Sequence, residues 1–276
     1  TNFTFSHCGK DFDCVEVHSL VLHTKYRGKH LTPILIQELQ KESFKKQARQ
    51  IGAFTTVSHL PIQPLSKVSL FFRVLKPKLL QRTPFMSIKE FQTMAQICQD
   101  AKLVKREQGY LVSNYNSDTD KEIVYDLLTN YLKNFAYYKK FSLGECDDYF
   151  TSSEDCFSFV VRNQDKEICG AFRLSLLYSK ISHCTHDTFV CCAQIGYFAV
   201  RDCTCGEKME ELFYHALSQS KEMGADIFFA QNILISPQKS SLFDRLGFVQ
   251  ADHIFYHLFN SPHDTHPPSD LGLTFW

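Results

Sequence analysis

The sequence predicts an α/β (α+β) fold made of two related halves, each a mixed twisted sheet flanked by helices. Three observations lead there. A strand, a basic turn and a helix follow one another within residues 15–39. From residue 157 onward, strand-like and helix-like periodicities alternate, first as antiparallel strands and then as a strand–helix–strand–helix–strand run. The chain has 276 residues with 44% hydrophobic content, enough to bury a large core as one big domain or two small ones.

Charge and cysteine usage narrow the classes. Lys plus Arg equals Asp plus Glu at 30 each, so no net field calls for a nucleic-acid partner. No apolar run is long enough to span a bilayer, and the opening residues contain no apolar signal core, so the expectation is a soluble, cytoplasmic protein. Eleven cysteines, an odd number spread widely, suit buried reduced thiols better than a disulfide framework.

Residues 5–12 form a decoy. Cys8-Gly9-Lys10-x-Phe12, followed by His23 and His30, has the flavour of a zinc finger. Such a finger needs another cysteine shortly before Cys8, where Thr4, Phe5 and Ser6 stand, and its two histidines are here too far apart. A strand and turn leading into the next strand is expected instead. Residues 15–22 then read as a strand covered on both faces. Lys25 to His30 make a basic turn, and Thr32-Pro33 reads as an N-cap followed by proline at the first helical position. Leu31, Leu35 and Leu39 give that helix a stripe expected to pack on the sheet. Strand, turn and helix N-terminus together make an anion site, with Arg27, Lys29 and His30 adding charge to free backbone N–H groups. The same residues also read as an ordinary βα unit with a solvated basic turn.

Residues 52–57 are strand-like, and an extended or helical piece runs through Leu70-Phe71-Phe72-Arg73 to Pro77. Residues 81–118 are polar and weakly patterned, a linker that places the boundary between halves near 115. Thr119-x-x-Glu122 reads as a capping box opening a helix with Ile123, Val124, Leu127, Leu128, Tyr131, Leu132 and Phe135 on its apolar side. Strands are expected at 157–162, 168–177, 193–200, 226–230 and 253–259, with helices at 207–221 and 237–246. The turn after Val200 carries Asp202 and Glu207 and is unsuited to a phosphate, so only residues 1–115 should hold a phosphorylated ligand, leaving 116–276 another task. Cys203, Cys205, His183, His186, Cys191 and Cys192 suggest a metal site at first. Cys191 and Cys192 would point to opposite faces of an extended segment, however, and no metal is expected.

Several of these segments resemble N-myristoyltransferases. Arg27-x-x-His30-x-Thr32 is similar to the coenzyme A pyrophosphate turn of GNAT acyltransferases, and Glu16-Val17-His18-Ser19-Leu20-Val21-Leu22-His23 is similar to the signature Glu-Ile/Val-Asn-Phe/Ser-Leu-Cys-x-His. Tyr131-Leu132-Lys133-Asn134-Phe135, the Ser-rich stretch from Ser179 to His186, Gly196-Tyr197-Phe198-Ala199-Val200, a degraded glycine-rich segment keeping Asp252, and Leu271-Gly272-Leu273 match the same family in order. The resemblance implies two GNAT-like halves, myristoyl-CoA as co-substrate with no permanently bound cofactor, and proteins with an N-terminal glycine as partners of a monomeric enzyme. It assigns Arg27, Gly28, Lys29, His30, Leu31 and Thr32 to coenzyme A, and the backbone N–H groups of Ser19 and Leu20 to the oxyanion. The C-terminal carboxylate of Trp276 becomes the base. A free α-carboxylate, with a pKa of about 3.3–3.7, must be buried to serve so, and Phe275-Trp276 is apolar enough to be drawn inside; the same end also reads as a hydrophobic plug. His18 stands where the family has an amine-contacting asparagine, Ser58 or His59 where it has a threonine, and Ser179, Tyr197 and Asp252 fall in peptide-binding motifs. Asp252 equally reads as a turn cap. A substantial N-terminal portion of the family has no counterpart here, which leaves a shorter-chain GNAT acyltransferase, or a silent homologue binding acyl-CoA or peptide, as alternatives.

Overall fold

The computed structural model describes residues 2–17, 22–47, 51–80, 93–103, 109–180, 189–202, 206–235 and 241–275. Its first element is a hairpin. β1 (Asn2–His7) and β2 (Lys10–Glu16) pair antiparallel across Cys8 and Gly9, whose φ angles of 50° and 73° are both positive. That is the two-residue turn whose twist suits a hairpin, and glycine takes its second position without strain. The zinc-finger-like cysteine is thus a turn residue.

The twelve strands described form one sheet, ordered β12-β6-β1-β2-β3-β11-β4-β10-β9-β8-β7-β5. They are β3 (Ile51–Thr56), β4 (Ser66–Val74), β5 (Leu111–Asn114), β6 (Tyr137–Lys140), β7 (Cys156–Arg162), β8 (Ile168–Lys180), β9 (Phe189–Val200), β10 (Ile227–Gln231), β11 (Val249–Phe259) and β12 (Leu271–Gly272). Strands from either side of residue 115 interleave: β11 lies between β3 and β4, and β6 lies between β1 and β12. The mixed α/β class is as expected, and β7 to β11 fall where periodicity put them, with β9 and β11 extended at their N-terminal ends.

Helix α4 (Ser117–Leu132) buries Val124, Leu127, Leu128, Tyr131 and Leu132, α5 (Leu143–Phe150) buries Cys146 and Phe150, and α6 (Gly206–Glu222) buries Met209, Leu212, Phe213, Ala216 and Leu217; for α4 and α6 these follow the sequence. Both are the expected stripes, except that Ile123 is exposed. The cap of α4 lies earlier than the Thr119 box: Asn116 accepts from Asp118 N–H, while Asp120 accepts from Asn116 N–H. Asp120 also pairs with Arg162 at 2.6 Å, which ties the helix start to β7 and outweighs the local Thr119 signal.

Other expectations are corrected. The strand expected over 15–22 ends at Glu16, whose partner is Ala53 of β3; residues 18–21 lie outside the described set and Leu22 is not in a strand. α1 spans Leu31–Gln47, so Thr32 and Pro33 are its second and third residues, not its cap and first. A proline is tolerated there because first-turn N–H groups have no helical partner. The α1 stripe does not pack on the sheet. Ile34, Leu35, Ile36, Leu39 and Phe44 are all exposed. Within the expected linker, α3 (Met94–Asp100) and β5 are ordered elements, and α2 (Pro77–Leu80) lies just before it; the capping box of Thr93 and Gln96 starts α3. The helix expected over 237–246 is described only as α7 (Leu242–Arg245). No described helix is long and apolar enough to cross a membrane.

Candidate active site

The last described residues run into the protein interior. β12 pairs in parallel with β6, and at Gly272 a Cβ would lie 2.7 Å from Cβ of Tyr138 and 3.1 Å from Cβ of Phe135, so only glycine passes. Leu271, Leu273, Thr274 and Phe275 are buried. Beyond the short β12 ladder, side chains take over the backbone donors. Thr274 N–H donates to the Tyr197 hydroxyl at 3.2 Å, and Phe275 N–H donates to the Tyr256 hydroxyl at 3.3 Å. Tyr256 in turn donates to Gln231 Oε1 at 2.6 Å, and Tyr197 N–H donates to the Tyr149 hydroxyl at 2.9 Å. The Phe275 ring stacks on Tyr256 at 5.1 Å and meets Phe3 at 5.7 Å. Buried polar groups hold a structure when each is met, and here the tyrosines meet the terminal strand.

Burial keeps these phenols protonated. It pushes Tyr149 up to about 12, against the opposing charge of Arg173, and raises Tyr197 and Tyr256 as well; Glu16 adds to all three. Lys139, half-buried near Phe141 and Phe3, is lowered by burial, with Glu16 and Glu145 opposing. The hydroxyls that meet residues 274 and 275 are thus neutral donors and acceptors.

The basic turn is separate and exposed. His23 accepts from Lys25 N–H, and a short 3-10 turn (Thr24–Tyr26) follows. Arg27 Nε donates to the Leu22 carbonyl at 3.2 Å, while the ammonium groups of Lys25 and Lys29 lie 4.8 and 5.5 Å from the centre of the Tyr26 ring. Gly28 and His30 take φ of 73° and 54°, bending the chain into α1, whose first turn holds Leu31 and Thr32. The six residues assigned to coenzyme A thus lie together, at the start of a helix and open to solvent.

The other candidates scatter. His18, Ser19, Leu20 and Trp276 lie outside the described residues. Tyr197 sits at the chain end. His59 is exposed, edge-on to Phe255 at 5.3 Å. Ser179 is exposed near the end of β8, opposite Val190. Asp252 accepts from His253 N–H at 2.8 Å at an irregularity of β11. Tyr149, Tyr256, Gln231 and Arg173 had no sequence signal: each belongs to an ordinary helix or strand pattern, and only the tertiary fold gathers them. Among the described residues, no group of three or more His, Cys, Asp or Glu could hold a metal.

Residues 82–267 match the model of the myristoyl-CoA:protein N-myristoyltransferase C-terminal domain. The putative glycylpeptide N-tetradecanoyltransferase 2 of Arabidopsis thaliana is 25% identical over 268 residues, 94% of this chain and 59% of that protein. The glycylpeptide N-tetradecanoyltransferase of Dictyostelium discoideum is 26% identical over 270 residues, 96% of this chain and 62% of that one. The chain therefore spans about three fifths of the length of these relatives. In fold it is similar to Saccharomyces cerevisiae N-myristoyltransferase with bound myristoyl-CoA, with a TM-score of 0.88 and 22% identity over all of this chain and 72% of that one. A GCN5-related N-acetyltransferase from Anabaena variabilis gives a TM-score of 0.51 at 10% identity, over 93% of this chain and 57% of that one. With the family model covering more than half of its residues, the chain belongs to the N-myristoyltransferase family through that C-terminal domain.

Proposed function

We propose that the protein is an acyltransferase that moves a tetradecanoyl group from myristoyl-CoA to the amino group of an N-terminal glycine. The observation that carries this reading is the burial of Leu271, Leu273, Thr274 and Phe275, with the N–H groups of Thr274 and Phe275 on tyrosine hydroxyls. In this reading the α-carboxylate of Trp276 takes a proton from the glycine ammonium. The freed amine attacks the thioester carbonyl, and the backbone N–H groups of Ser19 and Leu20 receive the developing oxyanion. The tetrahedral centre loses the second proton of the attacking nitrogen and collapses as the carbon–sulfur bond breaks, and coenzyme A leaves as a thiolate that takes up that proton.

In this scheme residues 1–115 hold the acyl-CoA. Arg27 to Thr32 face its pyrophosphate, with the start of α1 supplying N–H groups and dipole. Residues 116–276 hold the peptide, and His18, His59, Ser179 and Asp252 are its outlying contacts. The protein acts as a monomer in the cytoplasm. The test is transfer of labelled myristate from myristoyl-CoA to a peptide beginning with glycine, beside the same peptide beginning with alanine. Glycine-dependent transfer is the expected result. Bound myristoyl-CoA without transfer would instead mark a silent homologue, and transfer faster from acetyl-CoA would mark a short-chain enzyme.

A further inference from the structure

One buried imidazole takes no part in the scheme above. His257 of β11 is 1% exposed and lies opposite Phe54 of β3, with the two rings stacked at 4.9 Å. Its Nε2 is 3.2 Å from Thr56 Oγ1. The single hydroxyl proton of Thr56 goes to the Ser58 carbonyl at 2.9 Å, so toward His257 that oxygen accepts. This assigns His257 as the Nε2–H tautomer, and its bare Nδ1, buried with the ring, has no hydrogen-bond partner among the described residues.

The relay from His257 through Thr56 to Ser58 sets an exposed piece of chain from inside the sheet. Thr56 is the last residue of β3, and Val57, Ser58 and His59 after it are exposed. The His59 ring is held to the same strand, edge-on at 5.3 Å to Phe255, which lies two residues before His257 and on the same face. The far end of this loop is tied as well. Gln63 Nε2 donates to Thr265 Oγ1 at 3.3 Å, and Thr265 Oγ1 donates to the Pro64 carbonyl at 3.0 Å. Residues 57–64 are thus fastened at both ends to the stretch from β11 to Thr265, and one of the fastenings runs through a titratable ring.

That ring is kept neutral. Burial lowers its pKa below the ordinary 6.5 and outweighs the Gln63 backbone, which favours the charged form; His263 and His59 lower it further. The groups around it carry no negative charge. β3 presents Phe54 and Thr56, the loop presents His59, the segment after β11 presents His263, and β4 presents the exposed Lys67, opposite Phe255. A proton on Nδ1 would bury a cation among bases, a cost large enough to turn the ring out of its seat.

We propose that His257 is a positioning residue for the acceptor peptide: neutral, it holds Ser58 and His59 in place through Thr56, and on taking a proton it lets them go, so that peptide binds more weakly in mildly acidic solution. The inference rests on His59 as a peptide contact in the scheme above and adds the residue that governs it. The test is KM for a glycine-led peptide at saturating myristoyl-CoA, at about pH 7.5 and about pH 5.5, on either side of the histidine range. In the unaltered protein KM should rise about three- to tenfold at the lower pH, the worth of one hydrogen bond. His257→Gln keeps a donor for Thr56 but takes no proton, so it should lose most of that rise. Thr56→Val should raise KM by a similar factor at both pH values, and Thr56→Ser should restore it, with myristoyl-CoA affinity the same throughout.

A rise that persists in His257→Gln, or a peptide KM in Thr56→Val equal to that of the unaltered protein, would overturn the proposal. If no peptide is acylated, the transferase reading falls by itself, and the loop is followed directly through the amide resonances of Thr56 and Val57. Shifts between the two pH values that His257→Gln abolishes sustain the positioning role. Resonances that move equally in the variant make the titration of His59 their cause and remove it.

Discussion

Replacing Tyr197 and Tyr256 by phenylalanine tests the reading of the chain end directly. Each change deletes one hydroxyl and keeps the ring, so packing is nearly preserved. Tyr197→Phe strands the Thr274 N–H in a position where both residues are buried. A buried donor left unmet costs about 1–3 kcal/mol, and the low end applies because the bond is 3.2 Å long. Tyr256→Phe removes the acceptor of Phe275 N–H and also the donor held by Gln231 Oε1 at 2.6 Å. Two groups lose partners, so it should cost about twice as much. Thr274 and Phe275 are neighbours, and freeing one loosens the other, so the double variant should fall short of the sum by about 0.5–1 kcal/mol. Urea unfolding at constant m-value reads these numbers, and the transfer assay should show kcat falling in each variant with myristoyl-CoA affinity unchanged. Changes below about 0.5 kcal/mol for both single variants, the range of ordinary surface substitutions, would refute the idea that these hydroxyls seat the chain end.

Three further outcomes are expected. At Gly196 a Cβ would lie only 2.2 Å from the Tyr149 hydroxyl, so Gly196→Ala should destabilise by about 1–3 kcal/mol, and adding Tyr149→Phe should restore part of the loss in thermal unfolding. Asp147 accepts hydrogen bonds from Lys121, Ser117 and Tyr115, which lower its pKa from 3.8 to about 2. The unfolded chain therefore binds the proton more readily, and this stability is full above the unfolded pKa and lost as pH falls from about 5 toward 2. Stability measured against pH should show a loss of about 1–2 kcal/mol in that window, absent in Asp147→Asn. Deleting Trp276 should abolish transfer in the labelled-myristate assay while myristoyl-CoA binding, measured by calorimetry, persists.

Much of the second half was legible because its elements carry strong local signals. α6 shows an apolar stripe that ends before Gly224 at φ 89°, and β8 and β9 are long and apolar. α1 misled for a physical reason: Leu31, Leu35 and Leu39 make a plausible buried stripe in any sequence, but periodicity cannot show whether another element is there to receive it. The basic turn was legible because its residues are contiguous. The chain-end chamber was not, since Tyr149, Tyr197, Gln231 and Tyr256 are far apart in sequence and each looks like a core residue until Thr274 and Phe275 arrive between them.

The position of β11 in the sheet bears on synthesis. Thr56 in β3 meets His257 in β11, 201 residues later, at 3.2 Å, and β11 is the only described strand joining β3 to β4. A nascent chain therefore exposes unpaired edges of both strands until nearly all of it has left the ribosome. Contacts of such long range form late, and open strand edges invite association with other chains in the meantime. The sheet closes only when β11 is available, so a chain cut short before residue 249 lacks the strand that joins β3 to β4 and leaves both edges open.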